Sequence, residues 1–390
     1  MRPATRPRLF DRDVRGIHCV GVGGMGVGPL AVYLAQVGFN VSGEDDALTG
    51  EMRAVLERER VAIGTIPADC DLVVYSSAIA KDHPAWVAAV ARRLPLVRRG
   101  EALAEVAREK KLVAICGSHG KTTTTAMLIT ALRRANFPAG YVLGGLFADD
   151  TAPARAGSND WVVAEIDESD GTIDRFSPEL AVAVNLDWDH PDYYRQPAEL
   201  EATFAALFAR TRGTVLVSDA CARSARVAPH ATTFGRSGSF RGAVAEEAGA
   251  GMTLRLGGRF SPDAAVVRAV GDFNAANATA ALAAAQLMGV ALMPKLLADY
   301  PGVRRRQTVL QAGDGPAVIE DYAHHPAEIR ALLASLRRRV AAGGRLIVVF
   351  QPHRFSRTAQ FKVEFAAALA MADRVHLLDR KSVGEGKSVD

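Results

Sequence analysis

Leu112-Val-Ala-Ile-Cys116 runs straight into Gly117-Ser-His-Gly-Lys-Thr-Thr-Thr-Thr125, an apolar stretch followed by a small-residue turn, a lysine and a helix-forming segment that continues to Arg134. Strand, glycine loop, helix is an arrangement that binds phosphate. Backbone N–H groups at the helix start point at anionic oxygens, and the helix dipole favours negative charge. Lys121 is placed to neutralise the terminal phosphates of a nucleotide, and a threonine hydroxyl to reach magnesium. The stretch departs from the general G-x-x-x-x-G-K-S/T pattern, because Ile115 stands where its first glycine belongs. A Gly/Thr-rich turn without a nucleotide is the plain alternative.

Two more strand-like runs follow, Trp161-Val-Val-Ala-Glu165 and Leu180-Ala-Val-Ala-Val184, each ending in a polar loop. The first loop, Glu165-Ile-Asp-Glu-Ser-Asp170, crowds carboxylates that repel one another unless they face water or hold a cation, and a hard ion such as magnesium suits them. The second, Asn185-Leu-Asp-Trp-Asp-His-Pro-Asp192, adds oxygen ligands and the imidazole of His190. The Ala-rich segment from Asn274 to Met288 predicts a helix whose small face packs closely.

Toward the N-terminus, the strand-like Ile17-His-Cys-Val20 leads into Gly21-Val-Gly-Gly-Met-Gly26 and a helical stretch from Leu30 to Val37. The turn satisfies G-x-G-x-x-G, with Asp45 about 20 residues on as a candidate ribose ligand. Taken alone, it does not separate NAD from a UDP-sugar or from a tight structural turn. Toward the C-terminus, alternation predicts a strand over 317–320, a helix over 327–340, a strand over 345–350, a helix over 361–372 and a strand over 374–378. Their loops, Glu320-Asp-Tyr-Ala-His-His-Pro-Ala-Glu328 and Phe350-Gln-Pro-His-Arg-Phe-Ser-Arg-Thr358, carry residues suited to an amino-acid carboxylate and to phosphates, with ordinary surface loops as the alternative. Strands alternating with helices three times over predict an α/β protein with mainly parallel sheets, and chemistry at the C-terminal ends of the strands.

A chain of 390 residues exceeds one ordinary core and predicts two or three domains. The net charge of +4 comes without the clustered basic stripe and interleaved aromatics of a nucleic-acid binder. The charged start feeds no apolar signal core, and no apolar run is long enough to cross a bilayer, so the expectation is a cytoplasmic protein without membrane insertion. Cys19, Cys70, Cys116 and Cys221 are scattered, which predicts reduced and mostly buried thiols.

Together and in this order, the motifs resemble the Mur ligase family from about Gly16 to about Leu378. The resemblance implies a three-domain α/β architecture: residues 1–107 a Rossmann-like domain for a UDP-sugar, 108–311 a central P-loop ATP-binding domain, and 312–390 an incomplete Rossmann-like domain for the amino acid. It also implies ADP-forming amide synthesis through an acyl phosphate, with ATP and magnesium. Lys121, His190, Arg305 and Arg306 would be catalytic. Gly117, Ser118, His119, Gly120, Lys121, Thr122 and Thr123 would hold ATP, with Asn274, Asn277, Asp321, Arg354 and Arg357. Thr122 and Glu165 would hold one magnesium, and His190 would help hold a second. Gly21, Gly23, Gly24, Gly26, Asp45, Ser76, Ser77 and Arg99 match the UDP-sugar side, and Glu168, Ser169, Tyr322 and His324 would also contact substrate. Two positions depart from the pattern: Phe273 stands where a histidine is usual, and Gln307 replaces an aromatic.

Within the family, Asp167-Glu-Ser-Asp170, Tyr322-Ala-His-His-Pro326 and Gln351-Pro-His-Arg354 look like the member that adds L-alanine to the lactyl carboxylate of UDP-N-acetylmuramate. Later-acting members use a carbamylated lysine, and the segment from Pro191 to Arg210 has no lysine. The alternatives are a tripeptide-recycling ligase and a non-catalytic nucleotide or UDP-sugar binder. A nicotinamide oxidoreductase would leave the Gly-Lys-Thr loop unexplained, and a folylpolyglutamate-synthetase-like ligase would lack the first glycine turn. The end, Arg380 to Asp390, has no resemblance to the family, and the expectation is a truncated reading frame followed by foreign sequence. Oligomeric state is not legible.

Overall fold

The computed structural model describes residues 8–313 and 315–378, so the expectation about residues 380–390 lies outside the described residues. Among the described residues the chain forms three α/β units. In the first, five parallel strands lie in the order Ala62–Ile63, Asn40–Glu44, Gly16–Val20, Leu72–Tyr75, Leu96–Arg98. Every residue of Gly16–Val20 is buried, as expected for the middle of a sheet covered on both faces. The chain leaves that strand through Gly21, whose φ of +84° favours glycine, and enters the helix Val27–Gln36. Strand order reverses at this point, which opens a crevice beyond the strand ends.

The helix Arg99–Ala107 connects to the second unit, a ten-stranded sheet built around Lys111–Cys116. Trp161–Glu165 pairs with this strand in parallel on one side, and Leu180–Ala183 on the other. The phosphate loop therefore leaves the sheet between the acidic loop and the His190 loop. Sequence-distant chemistry converges because three adjacent parallel strands end together. The helix Lys121–Arg134 packs on the helix Asp272–Leu287, where Ala278 and Ala280 to Ala285 are fully or almost fully buried and allow close approach, as the Ala-rich pattern predicts.

The sheet is mainly parallel, as expected, with antiparallel pairs at both ends, Ala154–Arg155 with Gly140–Val142 at one of them. Phe240–Ala248, Gly251–Gly258 and Ala264–Val267 extend it with antiparallel pairs. The turn between the first two uses Gly249 at φ +59°. The alternation of buried and exposed residues in Gly251–Gly258 is the period-two signature of a half-buried strand.

The third unit holds the antiparallel pair Thr308–Gln311 with Val318–Glu320 and the parallel pair Ile347–Phe350 with Arg374–Leu377. The helix Pro326–Arg337 packs Ile329 and Leu333 against Phe350, Phe361, Phe365 and Leu369. The helix expected over 361–372 is instead two, Phe355–Gln360 and Lys362–Leu369, with buried Phe361 at the break. Ile347, Val349 and Leu377 are exposed. The segment leading into this unit is set by two left-handed residues, Arg305 at φ +61° and Gln307 at +50°. All four cysteines are free thiols, three of them buried. No helix among the described residues is long and apolar enough to cross a membrane.

Candidate active site

Gly117 takes a φ of +112°, and a Cβ there would run into the carbonyl of Asn185. Gly120, at φ +78°, starts the helix, and a Cβ on it would sit 2.6 Å from Asn277 Oδ1. These two glycines let the loop fold tightly against its neighbours, and Ser118 N–H donates to the Asn185 carbonyl at 3.3 Å. Asn185 fixes it from below: Oδ1 accepts from His119 N–H and Nδ2 donates to His119 carbonyl, each at 2.9 Å.

Lys121 Nζ donates to Gly117 carbonyl at 2.5 Å and to both oxygens of Glu168 at 3.0 and 3.2 Å. Burial alone would lower its pKa, but the carboxylates of Glu168, Asp167 and Glu165 outweigh that and raise it, so the ammonium stays charged. Asp167 is pushed down to about 2: burial opposes this, but Lys121, Arg99 and the Ser169 donors prevail. Burial pushes Glu168 up to about 7 and also raises Glu165, despite Lys121. The site thus holds more buried carboxylate than its one lysine can neutralise.

A divalent cation fits that imbalance. Asp167, Glu168 and His190 offer ligand atoms within 4.8 Å of one another. Glu165 Oε2 and His190 Nδ1 are buried and have no hydrogen-bond partner among the described residues. Thr122 Oγ1 donates to Glu165 Oε1 at 3.2 Å, so the pair expected to share a magnesium is already together. His190 sits at φ +54°, and burial pushes its imidazole down to about 4, the neutral form a metal ligand needs. Asp167 is a candidate ligand that the sequence reading did not single out. Ser169, expected at the substrate, donates from both N–H and Oγ to Asp167 Oδ1 at 2.8 Å.

Beside the loop lies a cavity of about 680 Å³, lined by His119, Gly120, Thr123, Asn274, Asn277, Asp321 and Arg306 among others. Asn277 accepts from Thr124 Oγ1 at 3.3 Å and donates to Asn274 Oδ1 at 3.4 Å, so the two asparagines are bound to the phosphate-loop helix. Asp321 accepts from the N–H groups of Gln307 and Ala323 at 2.9 and 2.7 Å. The arginine pair lies on a ring: the Arg305 and Arg306 guanidinium carbons are 4.6 and 5.3 Å from the Tyr322 centroid. His324 bonds Tyr322 carbonyl through Nδ1 at 2.8 Å.

Arg354 and Arg357 part company. Arg354, at φ +64°, reaches Asp192 Oδ2 at 3.0 Å on a half-exposed surface. Arg357 is 1% exposed and tied to Asp189 through Nε and Nη2.

The first unit closes the other side. Gly23 N–H donates to Asp45 Oδ2 at 2.9 Å, so Asp45 is held against the glycine turn. Arg99 packs its stem against Gly26 and reaches Asp170 Oδ2 at 3.3 Å. Ser76 is half-buried and Ser77 exposed at the end of Leu72–Tyr75, and Gly24 N–H bonds Gly21 carbonyl at 3.1 Å. Arg99 thus links the residues expected for the sugar to the acidic loop.

Residues 16–111 match the family description "Mur ligase family, catalytic domain", 115–285 "Mur ligase middle domain", and 304–388 "Mur ligase, glutamate ligase domain". The chain is 35% identical over 403 residues to the UDP-N-acetylmuramate–L-alanine ligase of Coxiella burnetii, covering 97% of this chain and 86% of that one. It is 36% identical over 406 residues to the enzyme of the same name from a Mycobacterium species, covering 96% and 83%. Among solved structures, the UDP-N-acetylmuramate–alanine ligase MurC of Thermotoga maritima superposes with a TM-score of 0.79 at 28% identity, covering 95% and 86%. A murein peptide ligase of Psychrobacter arcticus shares the fold, with a TM-score of 0.71 at 21% identity over 96% and 94%.

Proposed function

Since the chain belongs to the Mur ligase family, we propose that it joins L-alanine to the lactyl carboxylate of UDP-N-acetylmuramate with cleavage of ATP to ADP, a step in making peptidoglycan precursors. The observation that carries this reading is the convergence of the phosphate loop, the acidic loop and the His190 loop at the ends of three adjacent parallel strands. The L-alanine-adding relatives, similar along nearly the whole chain, favour this member over the tripeptide-recycling one.

A carboxylate resists attack by an amine until one oxygen becomes a leaving group. In the proposed reaction the lactyl carboxylate takes the γ-phosphoryl group of ATP, and the amino group of L-alanine displaces phosphate from the acyl phosphate. The protein's part is positioning and charge neutralisation. The loop N–H groups and Lys121 hold the phosphates, and Asn274 and Asn277 shape the nucleotide side of the cavity. Gly21 to Gly26, Asp45, Ser76, Ser77 and Arg99 hold the UDP-sugar. Tyr322, His324, Arg305 and Arg306 border the place where the amino acid arrives. Thr122 and Glu165, with Asp167, Glu168 and His190, would hold magnesium, which supplies charge neutralisation at the transferring phosphoryl group.

The test is mass-spectrometric detection of UDP-N-acetylmuramoyl-L-alanine after incubating the purified chain with UDP-N-acetylmuramate, ATP, magnesium and L-alanine. A parallel reaction offers the recycled tripeptide instead of L-alanine. Product from L-alanine alone supports the reading; product from the tripeptide alone, or none from either, overturns it.

A further inference from the structure

Glu328 opens the helix Pro326–Arg337 as the third residue of a capping box, its Oε2 accepting from the backbone N–H of His324 at 2.9 Å and of His325 at 3.2 Å. One oxygen suffices for that task. The other, Oε1, turns away from its own helix and lies 3.5 Å from His119 Nδ1 and 3.9 Å from Arg306 Nη1, with only 11% of the side chain exposed. A buried carboxylate must be paired to be tolerated; beside His324, whose Nδ1 lies 3.4 Å from Oε2, the partners of Oε1 come from outside its helix: the phosphate loop and the segment leading into the third unit.

His119 is the residue through which the phosphate loop can be gripped. Asn185 holds its backbone from the central sheet. Its ring stacks on His325 with centroids 4.5 Å apart, and Nε2 lies 3.4 Å from Asp187 Oδ2. These contacts are ion pairs rather than well-aligned hydrogen bonds, since neither ring nitrogen has a hydrogen-bond partner among the described residues. Asp187 is 43% exposed and belongs to the same unit as the loop, so Glu328 is the charged contact that brings the third unit to it.

The geometry points to Glu328 as a positioning residue that sets the phosphate loop when the third unit is seated, so that nucleotide affinity depends on the docking of that unit. This inference rests on the ligase reading above. Glu328→Gln is the discriminating variant: glutamine serves the capping box equally, but it removes the charge that His119 and Arg306 answer. In titrations of the full chain with ADP and magnesium, Glu328→Gln is expected to raise the Kd by ~10-fold, in the range of ordinary coupling between sites. The thermal unfolding temperature is expected to fall no further than in His119→Gln, and in turnover the KM for ATP rises more than kcat falls. His119→Gln breaks the same contact from the loop side and serves also if Glu328→Gln does not fold. The double variant is expected to bind no more weakly than the weaker single one, because both remove one interaction. ADP binding by Glu328→Gln as tight as the parent's, or additive effects in the double variant, overturns the proposal. If the parent chain itself binds no ADP, the ligase reading falls and this inference with it; if the parent binds and both single variants bind equally well, only this inference falls.

Discussion

The guanidinium of Arg357 meets Asp189 with two hydrogen bonds, Nε to Oδ1 at 2.8 Å and Nη2 to Oδ2 at 3.0 Å, and both side chains are almost wholly out of water. The pair joins the third unit to the loop that carries His190. Burial works against the Asp189 anion, but Arg357 more than offsets this and holds the carboxyl well below its usual range.

Arg357→Ala leaves that carboxylate buried and unpaired, a defect of about 3–5 kcal/mol. The third unit is expected to loosen first. Hydrogen exchange should rise in the helix Pro326–Arg337 while the helix Lys121–Arg134 stays protected; equal change in both would show that the pair does not serve docking. Because the folded pKa of Asp189 is depressed, its contribution is present above an unfolded value of about 3.9 and is lost as pH falls below it.

Ser169→Ala removes a donor that orients Asp167 without touching the other candidate ligands. Removing such an orienting partner is expected to raise the magnesium concentration for half-maximal turnover by ~10-fold. The check is a magnesium titration at saturating ATP. An unchanged midpoint would count against Asp167 as a ligand.

Lys121→Met takes the ammonium from a site with three carboxylates, Glu168 buried and Glu165 and Asp167 half-buried. Turnover is expected to fall by at least ~100-fold, the loss seen when a charge-stabilising donor is removed. The protein should remain folded, because Glu168, already pushed up to about 7, takes a proton when its partner is gone. Circular dichroism and initial rates separate the two outcomes, and a variant that keeps parental rates would remove Lys121 from the reaction.

His119 is pushed up to about 9: burial opposes this, and the facing carboxylates of Asp187 and Glu328 prevail over the nearby His325. Its folded pKa lies above the unfolded value of about 6.5, so its stabilisation is complete below that pH and is lost as pH rises through about 9. The difference in melting temperature between the parent and His119→Gln is therefore expected to shrink from pH 6 to pH 10. A constant difference would mean that His119 is neutral throughout.

What the sequence made legible was local. Gly117 to Thr125, Glu165 to Asp170 and Asn185 to Asp192 each declare a strand end within a few residues, and parallel pairing brings them together. The strand Gly251–Gly258 was equally legible from its alternation but lay between stronger signals. The contacts that join the units were not legible: Arg357 and Asp189 are 168 residues apart, and neither carries a mark of the other. Glu328 reads in sequence only as a helix cap, because nothing local tells where its second oxygen points.

Arg305 and Gln307 give the passage into the third unit a mechanical character. A left-handed backbone costs a non-glycine residue about 1–2 kcal/mol, and here it is held by bonds on each side. Arg305 N–H reaches Thr308 Oγ1 at 2.9 Å, Arg305 carbonyl accepts from Tyr322 N–H at 2.8 Å, and Gln307 N–H reaches Asp321. Glycines at these positions would make a swivel with a broad arc. Side chains narrow that arc, so the direction in which the third unit leaves the central one is written into the backbone from Arg305 to Gln307.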